Sequence, residues 1–198
     1  MKKILLTLAL CGLSASLASA TVILTPQTPY PAGTGPFTYN IGVFLPGGEN
    51  FDVKDFATVY DINMLMGTPT FTPSVLASGS TFAVTMQLTG LTPSGIAPTD
   101  VASIPNISVM LTAGQLTNAT GSAENLGILS FVSGSNATIT GQYTSLTHDS
   151  SGPNANLGEV LLPTNSGTGK TPEPVSFILL GSGLIALGAL SRKAKIVR

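Results

Sequence analysis

The chain is poor in charge, sulfur and large aromatic side chains. Only 9% of its 198 residues are Asp, Glu, Lys or Arg, and it has one cysteine, one histidine and no tryptophan. Ordinary soluble domains have a charged fraction nearer about 25%. One histidine and one cysteine do not supply the ligand set of a Cys/His zinc site. A single cysteine also excludes a disulfide framework within this sequence.

Basic residues are scarce in the central part of the chain. Between residues 21 and 170 the bases are Lys54 and Lys170. The acids of the same stretch are Glu49, Asp52, Asp55, Asp61, Asp100, Glu124, Asp149 and Glu159. Eight acids minus two lysines leave six net negative charges. Such a surface cannot neutralise a phosphate backbone, so we expect no nucleic-acid partner.

The amino-terminal residues have the three regions of a secretory signal peptide, predicted over residues 1–20. Two lysines precede an apolar run, and Ala18 and Ala20 supply the small side chains that signal peptidase requires before its cleavage site. Cleavage after Ala20 would remove Cys11. The alternative is a lipoprotein signal at Cys11, although Leu10 stands where a small residue is expected.

An uncharged segment, Val175–Leu190, lies near the carboxyl end. As a helix it would extend about 24 Å, slightly less than the ~30 Å hydrocarbon core of a bilayer. The charges that follow it are all positive: Arg192, Lys193, Lys195 and Arg198. Because basic residues flank membrane spans on the cytoplasmic side, we predict one C-terminal transmembrane helix with the body of the protein outside the cytoplasm.

Pro172, Glu173 and Pro174 come immediately before this segment. The prolines hold Glu173 extended and prevent the helix from continuing upstream. The Pro-Glu-Pro motif, the apolar run containing Leu180-Gly-Ser-Gly-Leu184 and the basic cluster together resemble the PEP-CTERM sorting signal of bacterial surface proteins. The resemblance covers only residues 171–198. The alternative is an ordinary C-terminal anchor that contains the motif by coincidence.

The resemblance implies processing by an exosortase, an integral-membrane, cysteine peptidase-like enzyme that removes such tails. Residues 172–174 would be the recognition motif, residues 175–190 the membrane stop and residues 191–198 the retained basic tail. PEP-CTERM proteins are associated with bacteria that produce exopolysaccharide and form biofilms. We therefore expect a structural protein of the cell surface or extracellular matrix, with no enzymatic activity and no cofactor.

Residues 21–162 carry the two-residue periodicity of strands with one buried face. Every second residue is apolar in Phe37–Leu45, and similar alternation recurs in Thr81–Leu88, Ile107–Leu111 and Ala137–Leu146. Further short strands are predicted at residues 56–62, 71–76, 126–132 and 158–162, with breaks at residues 67–69 and 90–103. The pattern predicts a single all-β domain, an antiparallel β-sandwich or jelly roll. A flexible linker is predicted at residues 163–171.

The densest acidic group follows the strand predicted at Phe37–Leu45. Glu49, Asp52 and Asp55 are the candidate calcium ligands, because calcium takes six to eight oxygen ligands. Lys54 lies among them, and a solvated acidic turn is the alternative interpretation. Two carboxylates of this region could also serve glycoside cleavage if a cleft held them about 5–10 Å apart.

His148 is flanked by Asp149 and two serines, and we predict that it lies in a solvated loop. Residues adjacent in sequence usually point in different directions, so this string does not form a catalytic triad by itself.

The alternative function for the whole chain is a carbohydrate- or calcium-binding β-module displayed on the cell surface.

Overall fold

The computed structural model describes residues 21–27 and 34–165. All regular secondary structure in these residues is β-strand, which confirms the prediction of an all-β protein. Among the described residues there is no helix of the length and hydrophobicity that a membrane span requires. The strands are β1 (Ile23–Pro26), β2 (Phe37–Leu45), β3 (Asn50–Phe51), β4 (Phe56–Val59), β5 (Leu65–Pro73), β6 (Thr81–Gln87), β7 (Asn106–Ala113), β8 (Leu116–Thr117), β9 (Glu124–Ser133), β10 (Thr138–Asp149) and β11 (Gly152–Pro163).

The strands form two antiparallel sheets. The smaller sheet has the order β1-β2-β9-β5. In the larger sheet β6, β7, β4 and β10 are neighbours in that order, and β11 pairs with β10 along its whole length. The short strands β3 and β8 pair with each other, and β3 also pairs with β10 at His148. In the larger sheet β3 therefore continues the line of β4, and β8 continues the line of β7.

Buried side chains from both sheets form one hydrophobic core. Alternate residues of β2 from Phe37 to Leu45 are buried, as the sequence pattern predicts. The larger sheet contributes Val59, Val109 and Tyr143 to the same cluster. At the margins, β1 lies beside β11 and β5 lies beside β6. The two sheets thus share a single interior.

Strand β5 differs from the prediction of a break at residues 67–69. It runs continuously from Leu65 to Pro73, and its pairing with β9 shifts register between Met66 and Thr70. An edge strand tolerates proline because half of its N–H groups have no ladder partner. Gly67 supplies the positive φ of 69° that the irregularity uses. The turn signals therefore mark a bulge within a strand, not the end of one.

Strands β10 and β11 are both longer than predicted. They pair from Thr138 opposite Pro163 to Asp149 opposite Gly152, whereas the sequence pattern ends the first at Leu146. His148 consequently lies within β10, and its prediction as a loop residue is wrong. Regular pairing continues past Leu146 with His148 opposite Pro153, because β11 is an edge strand and an edge strand tolerates proline.

The connection between β6 and β7, residues 88–105, crosses the outer face of the larger sheet. The Tyr60 hydroxyl donates to Leu91 O at 2.7 Å and lies 2.9 Å from the hydroxyl of Thr144. Thr144 points away from the core, because its neighbour Tyr143 points into the core. The backbone N–H of Thr99 donates to Gln142 Oε1 at 2.6 Å. These bonds hold the turn-rich segment against β10.

Candidate functional site

The predicted targeting residues lie outside the described residues. They are the signal peptidase residues Ala18 and Ala20, the sorting motif Pro172, Glu173 and Pro174, the membrane stop Val175–Leu190, and the basic tail Arg192, Lys193, Lys195 and Arg198. The candidate calcium ligands and His148 are described, and the structure shows how they are arranged.

A turn between β3 and β4 positions the first acidic pair. Its residue Lys54 adopts a left-handed backbone with φ 81°, and its N–H donates to Leu111 O at 2.9 Å. Leu111 N–H donates in return to Asp55 O at 3.0 Å. These bonds fix the turn against β7. The Asp52 N–H donates to Asp55 Oδ2 at 2.7 Å, which turns the Asp55 carboxylate inward.

Asp55 meets His148 from a distant part of the sequence. The ring Nδ1 of His148 lies 3.0 Å from the Asp55 carboxylate. Asp55 is 1% exposed, whereas the histidine side chain is 35% exposed. Asp52 is held from another direction, because Gln115 Nε2 donates to its Oδ1 at 2.6 Å. The pair joins the β3–β4 turn to the end of β10.

Glu49, the third candidate ligand, has a different set of partners. It is buried, and Thr147 Oγ1 donates to its Oε2 at 2.9 Å. Asn154 Nδ2 donates to Oε1 at 3.0 Å. The predicted calcium group therefore divides in two, with Glu49 tied to the β10–β11 hairpin and Asp52 and Asp55 grouped with His148.

Burial and hydrogen bonding change the acidity of the central pair. Burial raises the pKa of the Asp55 carboxyl, although hydrogen bonds from Asp52 and His148 oppose this rise. The hydrogen bond to Asp55 raises the pKa of His148, and the negative charges of Asp55, Asp52 and Glu49 act in the same direction. Folding therefore makes His148 easier to protonate than a histidine in water.

The same group could hold a metal ion. One ligand atom from each of Asp52, Asp55 and His148 can be chosen so that all three lie within 4.8 Å of one another. A histidine nitrogen suits a transition metal better than calcium, which takes oxygen ligands. Gln115 already donates to Asp52, and the Asp52 N–H already donates to Asp55, so the group can also act as a clamp between strands. Asp55 and Glu49 are buried, so the alternative interpretation as a solvated acidic turn is wrong for these two residues.

A cleft of ≈ 390 Å³ lies between the 88–105 segment and the β10–β11 hairpin. Asp61 stands on one side with a left-handed φ of 58°, and its Oδ1 accepts a hydrogen bond from Val101 N at 2.9 Å. Glu159 and Gln142, which pair across β10 and β11, stand on another side. Ile139, 54% exposed, provides apolar surface. Volumes of this size suit a small ligand.

This cleft brings together two carboxylates, Asp61 and Glu159, that the sequence does not associate. The candidate calcium ligands Glu49, Asp52 and Asp55 do not line the cleft. The signal that could have associated them is the two-residue hairpin turn at Ser150 and Ser151, which places Gln142 opposite Glu159. The sequence pattern missed this turn because it ended β10 at Leu146.

No protein-family model matches the chain, and no curated protein shows significant similarity to it.

Proposed function

We propose that the chain is an exported bacterial surface or extracellular-matrix protein with a structural, non-enzymatic β-domain. The observation that carries the proposal is the succession of three features in the C-terminal sequence: Pro172-Glu173-Pro174, then an uncharged run, then four cations. In this proposal signal peptidase removes residues 1–20 and an exosortase processes the tail at the inner membrane. The body then reaches the cell surface or the medium, where exopolysaccharide is its expected partner.

We also propose that the described domain is a β-sandwich. Two antiparallel sheets, a shared core and adjacent sheet margins support this description. A domain whose stability comes from core burial and backbone pairing suits a position outside the cytoplasm, because its described residues contain no cysteine that could oxidise there. The low charge of the chain suits contact with neutral polymers better than with polyanions.

The sorting proposal is tested by replacing Pro172, Glu173 and Pro174 with alanine in the native host. We expect the full-length precursor to accumulate in the inner-membrane fraction, because the exosortase loses its recognition motif. Replacement of three linker residues, Asn165, Ser166 and Thr168, with alanine is the matched control and should leave processing unchanged. Normal release of the triple-alanine variant at 172–174 would refute dependence on exosortase.

A second candidate function, carbohydrate binding, is favoured by the cleft beside the 88–105 segment. Carboxylate and amide groups of Glu159 and Gln142 can bind sugar hydroxyls, and Ile139 offers an apolar surface beside them. A panel of neutral and acidic oligosaccharides tests this by thermal shift, because a ligand of the folded state raises its stability. A shift that Glu159→Ala removes would support a binding module. No shift with any sugar would support the structural role.

Calcium is the second ligand considered for a surface-displayed binding module. A calcium-dependent rise in melting temperature that Asp52→Asn abolishes would support a cation site at Asp52, Asp55 and His148. An unchanged melting temperature would support the clamp, in which protein donors already occupy the carboxylates. The same titration with zinc distinguishes a site that uses the histidine nitrogen.

A further inference from the structure

The edge strands of the two sheets are not alike. An edge strand presents unpaired N–H and C=O groups, and proteins usually protect it with proline, charge or a bulge. Of the edge strands β1, β5, β6 and β11, all but β6 have such protection. β1 has Pro26, β5 has Pro69, Pro73 and a register shift, and β11 has Pro153, Pro163 and Glu159.

Strand β6, Thr81–Gln87, has neither proline nor charge in its sequence TFAVTMQ. Within the part of the chain that the structure describes, it pairs only with β7. Its one register shift lies at the end, between Thr81 and Phe82. The remaining residues form a regular edge that is rich in β-branched and apolar side chains, the combination that favours pairing with another strand.

The apolar stripe of β6 also continues beyond the core. Phe82 and Val84 pack against the core, but Met86 on the same face is 51% exposed and Leu88 is 55% exposed. These two side chains, with Leu65 and Pro105, line an open groove of ≈ 450 Å³ at this margin. Strand β5 lies beside β6 at this margin without pairing with it, so the edge offers unpaired backbone together with the exposed apolar side chains Met86 and Leu88.

We propose that β6 is a self-association edge, which pairs antiparallel with β6 of a second copy around a two-fold axis at Val84. In this register Val84 faces Val84 of the other copy and Phe82 faces Met86. Ala83 faces Thr85, and Thr81 faces Gln87. Core-side residues thus meet core-side residues and outer residues meet outer residues, so both faces of the joined sheet stay consistent.

This pattern favours a second copy of the chain over another extended partner. A two-fold interface requires a surface that is complementary to itself. In this register apolar Phe82 opposes apolar Met86 and polar Thr81 opposes polar Gln87, and only Ala83 opposite Thr85 is a mixed pair. No charge on β6 opposes a charge on its copy. Met86, half exposed in one chain, would be covered beside Phe82 of the other. The inference concerns the β-domain alone and does not depend on exosortase processing.

Sedimentation of the full-length chain in density-matched detergent, over a concentration series, tests the proposal. We expect a monomer–dimer equilibrium. Met86→Lys should weaken it at least about tenfold, because each lysine would lose hydration beside Phe82 of the other copy. Ile139→Lys is the matched control, a similar change at a side chain that is 54% exposed on β10, and should leave the equilibrium unchanged.

A monomeric wild-type chain throughout the series would overturn the proposal. Equal dimerisation of wild type and Met86→Lys would also overturn it, because the contact would then lie elsewhere, for instance in the predicted membrane helix.

Cysteine cross-linking in a Cys11→Ser background gives a second test that does not rely on disrupting the edge. Oxidation should link Val84→Cys into a covalent dimer, because directly opposed residues have the Cα separation of a disulfide. Thr25→Cys on the protected edge β1 should stay monomeric, and the reverse result would reject the register.

Discussion

Asn118 shows how a single buried amide organises a loop of the structure. It is 1% exposed, and its Nδ2 donates to Leu45 O at 2.7 Å and to Ser122 O at 2.8 Å. Its Oδ1 accepts from the N–H of Thr120 at 2.9 Å and from the hydroxyl of the same residue. One side chain therefore ties the end of β2 to the loop before β9. Its position in an Asn-Ala-Thr string gives no hint of this role.

We expect Asn118→Ala to lower the free energy of unfolding by about 2–3 kcal/mol, because the carbonyl of Leu45 would be left buried and unpaired. Urea denaturation of the wild type and the variant measures the difference. The exposed Asn136→Ala is the control and should change the free energy by less than about 0.5 kcal/mol. Equal stability of Asn118→Ala and wild type would contradict the role of the amide as a tie.

His148 and Asp55 make stability depend on pH. The folded pKa of His148 lies above its ordinary 6.5, so its stabilisation is complete below that pH and is lost as pH rises through the folded pKa. Burial also raises the pKa of Asp55 above 3.8, so its contribution likewise falls with rising pH, in a lower window. Both groups therefore act in the same direction.

We expect the free energy of unfolding of the wild type to fall by up to about 1 kcal/mol as pH rises from 6 to 8, a value discounted for the solvent exposure of the histidine. His148→Gln keeps a polar side chain without a titrating ring and should flatten the curve in this window. Urea denaturation at several pH values gives both curves. A slope that persists unchanged in His148→Gln would assign the pH dependence to other groups.

At the scale of elements, Tyr60 anchors the first residues of the 88–105 segment. The Tyr60 hydroxyl meets Leu91 O, Thr92 and Thr144, all within 2.9 Å. Gly90 is needed for the close approach, because a Cβ there would lie 2.5 Å from the Tyr60 ring. The segment has no strands of its own between β6 and β7, so side-chain bonds carry most of its attachment.

We expect Tyr60→Phe to loosen this segment while the sheets stay intact. The loss of one buried hydroxyl should cost about 1–2 kcal/mol, because Thr144 still donates to Leu91 O at 3.1 Å. Hydrogen exchange should quicken at residues 88–105 and stay unchanged in β2, which serves as the internal control. Exchange that quickens equally in β2 would show global destabilisation and refute a local role for the hydroxyl.

The sequence predicted strands well where one face is buried and the alternation is clean. β2 matches its predicted bounds, and β6 differs by one residue. Prediction failed for β5 and β11, where glycine and proline lie inside edge strands and small polar residues replace the apolar alternation. It also failed for the pairing of Asp55 with His148, which are 93 residues apart and meet only because β4 and β3 both align on β10. Local patterns carry no information on such contacts.

At the scale of the whole molecule, the predicted signal peptide decides the thiol chemistry of the exported protein. Cys11 is the single cysteine of the chain, and it precedes the cleavage site expected after Ala20. If the proposal is right, the exported domain has no thiol and no disulfide. Its stability then comes from the shared core of the two sheets and from backbone pairing, as the burial of side chains from both sheets indicates.

We expect the exported protein, unfolded in denaturant, to take up no thiol-specific label, and its melting temperature to be the same with and without reductant. Ala18→Leu should block signal peptidase, because the enzyme accepts small side chains at that position, and the retained precursor should take up one label. Intact mass checks the new amino terminus at Thr21. A lipid-modified mass beginning at Cys11 would replace this pathway with the lipoprotein alternative. The β-domain would then be tethered to the membrane through its amino terminus, and processing of residues 172–198 alone could not release it.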